Sequence, residues 1–117
     1  MTHADAVRMV RGKTNKTSRK IGNNTYGIIH DNGDVGIVLH STEVVTIHAD
    51  GTYTLRSGGW RTVTTKDRIN TYCPYRVTQR KGEWSVSYWN GHSHSDSIEF
   101  EDGMCVSHDM FNQLVNA

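Results

Sequence analysis

At 117 residues, 35% of them hydrophobic, the chain is long enough for one domain around a single core and too short for two. The formal net charge of +1 conceals a split: residues 1–22 set six cations against Asp5 alone, a balance of +5, and the remainder sets seven cations against eleven acids, a balance of −4. No apolar run approaches the ~20 residues of a membrane span, no apolar stretch follows the first charges as a secretory signal requires, and two cysteines without C-x-x-C spacing make no disulfide framework, so the expectation is a reduced, cytoplasmic protein away from membranes.

The first predicted element is a helix over Ala4–Arg11, closed by Gly12. Lys13 to Lys20 contains no apolar side chain, so burial cannot offset its ordering entropy and it is expected to stay flexible until bound. Residues 1–22 thus read as a basic helix and flexible arm, with Arg8, Arg11, Lys13, Lys16, Arg19 and Lys20 available to the phosphates of a nucleic acid. Residues 23–117 read as a β-rich globular domain.

In that domain Asn32-Gly33, Asp50-Gly51, Asn90-Gly91 and Asp102-Gly103, with Lys81-Gly82 as a fifth, punctuate the chain between β-rich runs. The spacing predicts strands over Thr25–His30, Val35–His40, Val44–His48, Thr52–Arg56, Tyr75–Gln79, Trp84–Tyr88, Ser97–Phe100 and Met104–Val106. Trp84, Val86 and Tyr88 alternate with Ser85 and Ser87, which marks one buried and one wet face. A helix is predicted over residues 65–72, with Thr64 or Thr65 as its N-cap, Asp67 in the capping-box position after Thr64, and Pro74 limiting its length. A last helix is predicted over Asp109–Val115, where Met110, Phe111, Leu114 and Val115 form an apolar stripe. The fold class is α+β: a single small domain dominated by an antiparallel meander, barrel-like or arranged as two packed sheets, with two or three short helices.

The densest functional signal is Thr54 to Asn70. There a strand, the Gly58-Gly59 pair and a helix start meet Arg56, Arg61, Lys66 and Arg68. Glycines permit close approach to the backbone, and a helix start offers unpaired N–H groups to an anion, so Gly58, Gly59, Arg61, Thr64, Thr65, Lys66 and Arg68 form the candidate anion site. The segment matches neither phosphate-loop nor dinucleotide spacing. Read structurally, it is a strand reversal with Trp60 packed into the core.

His92, His94 and Asp96 project to one side of an extended segment and are weak metal candidates; the expected metal and cofactor content is none. His40 and His48 close two successive strands and could form an acid–base pair with Glu43. No nucleophile motif of the G-x-S-x-G type is present, and neither Cys73 nor Cys105 has a base beside it in sequence. The tryptophans and tyrosines, interleaved with Arg76, Arg80 and Lys81, could offer a stacking surface to single-stranded nucleic acid, although most belong in a core.

The run from His40 through Asn70, above all Val44-Val45-Thr46, Asp50-Gly51-Thr52 and Ser57-Gly58-Gly59-Trp60-Arg61-Thr62-Val63-Thr64-Thr65-Lys66-Asp67-Arg68-Ile69-Asn70, resembles a family of small proteins encoded by bacteriophages and prophages. The likeness extends from about Gly22 to Met104 and includes Phe100-x-Asp102-Gly103-Met104. It implies a viral protein acting inside a bacterial host, and supplies no activity and no catalytic residues. The expected function is a non-catalytic binding module for an anionic partner, either nucleic acid or a nucleotide-like ligand. The alternatives are an anti-defence protein that inhibits a host protein through its surface and, third, a metal-dependent phosphodiesterase or nuclease. A homodimer is left open.

Overall fold

The computed structural model describes residues 1–89 and 92–111. Helix α1 (His3–Arg11) opens with a capping box: the Thr2 hydroxyl accepts from the Asp5 amide at 3.1 Å, and the Asp5 carboxylate accepts from the Thr2 amide at 3.2 Å. Ala6 and Val10, four residues apart, share the buried face. That face reaches the sheet because residue 27 is glycine; a Cβ there would stand 2.7 Å from Val10 Cγ2.

Strands β1 (Ser18–Gly22), β2 (Thr25–Ile29), β3 (Val35–Leu39), β4 (Thr42–Ile47) and β5 (Tyr53–Leu55) follow as an antiparallel meander, joined on the far side of β5 by the late β9 (Met104–Val106). A second antiparallel sheet contains β6 (Tyr75–Arg80), β7 (Glu83–Tyr88) and β8 (Ile98–Glu99). Between the sheets in sequence lies α2 (Val63–Tyr72), and residues 108–111 are again helical. The domain is α+β, and its described residues form nine antiparallel strands in two sheets rather than a closed barrel. Both sheets feed one core, where Tyr53 meets Tyr75 edge-on at 5.5 Å and Trp84 meets Phe100 at 5.3 Å. No helix among the described residues is long and apolar enough to cross a membrane.

The differences from the sequence reading have local causes. Ser18–Lys20, expected within a structureless stretch, form the outer strand β1. Its pairing is carried by the backbone, Ser18 opposite Ile28 and Lys20 opposite Tyr26, and needs no apolar side chain until Ile21. The α2 cap is Thr62, not Thr64 or Thr65: Thr62 is extended (φ −110°, ψ 166°), its hydroxyl accepts from the Thr65 amide at 3.2 Å, and Thr64 and Thr65 already lie in the first turn. Asp67 makes no capping box and instead pairs with Arg68. In β4 the register slips so that Ile37 faces Val45 and Val38 faces Glu43. Val44 is the extra residue of this bulge; Val44 and Val45 are both buried, while Glu43 and Thr46 face the opposite side. The predicted helix over Asp109–Val115 lies outside the described residues beyond Phe111, as does the Asn90-Gly91 turn.

Candidate functional site

β5 delivers the chain to a loop whose geometry is set by two glycines. Gly58 has φ +62° and Gly59 has φ +84°, and a Cβ on Gly58 would also lie 2.6 Å from the Thr42 methyl, so position 58 excludes a side chain on two grounds. Ser57 is buried at the entry. The Asp102 carboxylate, from the turn before β9, accepts from the Ser57 amide, from the Ser57 hydroxyl at 2.8 Å and from the Gly58 amide at 3.1 Å. Burial raises the Asp102 pKa, but the bonds from Ser57 and Gly58 and the charge of Arg61 together outweigh it and hold the carboxyl below its ordinary range. The Ser57 and Gly58 amides therefore already hold an anion that belongs to the protein, and the Gly59 amide donates to the Ser57 hydroxyl at 3.2 Å.

The cations of the segment diverge. The Arg61 guanidinium lies 5.2 Å from the Phe100 ring and 5.5 Å from the Trp84 ring. Lys66 Nζ donates to Gln79 at 3.0 Å and sits 5.8 Å from the same Trp84 ring. Arg68 turns the other way: its Nε donates to the Thr25 hydroxyl at 2.8 Å and its Nη2 to the Asn23 carbonyl at 3.3 Å, across to the β1–β2 turn.

Thr64 and Thr65 come together with residues that the sequence reading did not group. They line a cleft of about 430 Å³ between the β3–β4 turn and the start of α2. Leu39 and Val44 supply its apolar part, Ser41, Thr42, Ser57 and Thr62 add further hydroxyls, and His40 and Trp60 complete it. The volume suits a small molecule. Trp60 is not packed in the core: 68% of it is exposed, and its neighbour Val63 is 77% exposed. In the first turn of α2 the Thr65 amide is taken by the cap and the Lys66 amide by the Thr62 carbonyl; those of Val63 and Thr64 have no acceptor within the helix.

A second polar group lies on the face of the six-stranded sheet turned away from the core. His30 Nε2 lies 2.6 Å from Glu43 Oε1, and Glu43 Oε2 accepts from the Thr46 hydroxyl. Arg56 donates to that hydroxyl at 2.8 Å and stands 3.8 Å from the carboxylate. Gly36 makes room: a Cβ there would fall 2.0 Å from Glu43 Oε1. Beside this group His48 places Nδ1 2.7 Å from Asp34 and Nε2 2.7 Å from the Thr54 hydroxyl. Glu43 and His48 thus take different partners from those the sequence suggested, His30 and Asp34, and His40 sits apart in the cleft. The polar alternation along β4 and β5 signals such a face, but the pairs are 13 and 14 residues apart and invisible to local motifs.

His94 bridges to Trp89 and lies 3.1 Å from the Ser87 hydroxyl; His92 and Asp96 are exposed near it. Among the described residues no group of three or more His, Cys, Asp or Glu side chains is placed to hold a metal. Of the arm, Arg8 pairs with Asp5, Arg19 donates to the Met9 carbonyl at 3.3 Å, and Arg11, Lys13, Lys16 and Lys20 are exposed along α1, the linker and β1. Cys73 is buried, and burial pushes its thiol up to about 12; Cys105 is exposed.

The model of one protein family, described as Kyanoviridae Gp96 protein, matches residues 4–107. The chain belongs to this phage family. The match to the Kyanoviridae Gp96 proteins runs from α1 through β9, so the cleft and the outer sheet face both lie within the matched residues. No curated protein and no solved structure matches the chain.

Proposed function

We propose that this phage protein is a non-catalytic binding module that acts in the host cytoplasm on a nucleotide-like anionic ligand seated in the cleft beside α2. The observation that carries the reading is Trp60, held 68% exposed at a hydroxyl-lined cleft that includes the first turn of a helix. An indole left in water at such a place is a platform for a planar ring. The hydroxyls of Ser41, Thr42, Thr62 and Thr64 suit a sugar, and the start of α2 suits a phosphate. Asp102 already fills the glycine turn, so the phosphate is assigned to the helix start and not to that turn. His40 is the one titratable side chain among the lining residues, and the Asp102 carboxylate behind Ser57 is taken up by the Ser57 and Gly58 donors, which supports binding over turnover.

The test is a titration of the purified protein with a panel of mono-, di- and cyclic nucleotides and the parent nucleosides, followed by tryptophan fluorescence. Saturable quenching is expected, weaker for nucleosides and lost in Trp60→Ala. No saturable response to any nucleotide would refute the reading. One observation favours a second: Trp60 and Val63, three residues on, are both large apolar side chains left mostly exposed, as in protein interfaces, which fits inhibition of a host protein through this surface.

A further inference from the structure

The outer face of the six-stranded sheet carries a row of cross-strand neighbours that runs from Lys20 to Tyr26, Val38 and Glu43, with Arg56, the residue after β5, reaching Glu43. Directly opposed residues share a face, so these side chains stand on one surface. Tyr26 is 42% exposed on β2, Lys20 is exposed beside it at the edge, and the Arg56 side chain is 41% exposed at the other end. Tyr26 on β2 stands directly opposite Lys20, one strand spacing away at about 5 Å, so the ring and the edge cation are neighbours.

Two carboxylates on the same face would oppose an anionic partner, and both are matched internally. Glu43 lies flat over Gly36 between His30, Thr46 and Arg56, and Asp34 is held by His48. The charge on the face without an acidic partner is positive: Lys20 on β1 and, along the same edge, where the Thr17 carbonyl still accepts from the Ile29 amide, Lys16. We propose that this sheet face binds single-stranded nucleic acid, with an unpaired base on Tyr26 and the backbone phosphates on Lys20 and Lys16 along the β1 edge. The strand is single because a flat sheet face enters neither groove of a duplex, and a tyrosine ring reaches a base only where that base is unstacked. The inference is independent of the cleft, which concerns other residues on other elements.

The experiment measures fluorescence anisotropy of labelled oligothymidylate of about 12 nucleotides, and of a duplex of the same length, against the full chain at several salt concentrations. The expected result is tighter binding of the single strand, with log K falling against log salt by about 0.7 per phosphate contacted. Tyr26→Ala should weaken that binding about 5- to 150-fold, and Tyr26→Phe should retain it. Lys20→Ala should lower the slope by about 0.7. Trp60→Ala should leave oligonucleotide affinity unchanged, which keeps failure here distinct from failure of the nucleotide reading. Equal affinity for the duplex, an unaltered Kd in Tyr26→Ala, or a loss in Trp60→Ala with Tyr26→Ala silent would each overturn the proposal.

Discussion

Replacement of Asp102 is the sharpest probe of the loop that shapes the cleft. Its carboxylate accepts from the Ser57 amide, the Ser57 hydroxyl and the Gly58 amide, and Ser57 is buried. Asp102→Ala removes the acceptor and strands two polar groups of a residue that water does not reach. A hydrogen bond to a charged group contributes about 1.5–3 kcal/mol and an orphaned buried donor costs about 1–3 kcal/mol, but Asp102 itself is exposed and the loop can relax, so the loss should be about 2–4 kcal/mol. For a domain of this size that lowers Tm by roughly 8–16 °C. Asp102→Asn keeps an acceptor without the charge and should cost about half as much. The pH dependence has a fixed sign: the folded pKa lies below the unfolded one, so the charge contributes stability above the ordinary carboxylate range and loses it as pH falls through the folded pKa. The gap between wild type and Asp102→Asn should therefore be full at pH 7 and narrow below pH ~4. Thermal melts followed by circular dichroism at both ends of that range measure it. An Asp102→Ala protein melting within about 2 °C of wild type at pH 7 would refute the claim that this carboxylate holds the glycine turn.

Two further outcomes are accessible to simple assays. Thr62→Ala should lower stability by about 1 kcal/mol, since it removes the acceptor for the Thr65 amide, while Thr64→Ala should stay within ~0.5 kcal/mol; the reverse order would move the cap of α2. A thiol reagent at pH 8 should label Cys105 in the native protein and spare Cys73, whose thiol is buried and pushed up to about 12; rapid modification of two thiols per chain would contradict the packing around Ile69 and Tyr75.

What the sequence made legible follows the range of the interactions concerned. The Asx-Gly turns and the period-two runs are short-range signals, and the strands from Thr25 to Val106 appear within a residue or two of their predicted limits, with α2 beginning two residues earlier than expected. β1 was hidden because its pairing partner, not its composition, makes it a strand. The fold class was open to the same signals, but the clasp between Asp102 and Ser57 spans 45 residues and has no local signature.

The candidate site shows where proximity in sequence misleads. Arg61, Lys66 and Arg68 are close in number, yet a helix advances about 100° per residue, so Lys66 and Arg68, two positions apart on α2, diverge by about 200° and cannot serve one ligand. The structure bears this out: Lys66 reaches Gln79 in the second sheet and Arg68 reaches Thr25 in the first. Arg61 precedes the cap and lies over Trp84 and Phe100, under no helical constraint. What the helix does bring to one place is its start, where Thr62, Thr64 and Thr65 meet the β3–β4 turn at His40 and Ser41, far upstream in sequence. The same periodicity that builds the cleft therefore disperses the charges that first drew attention to the segment, and an anion bound there would be held by the helix start and its hydroxyls, with Lys66 and Arg68 serving to dock α2 between the two sheets.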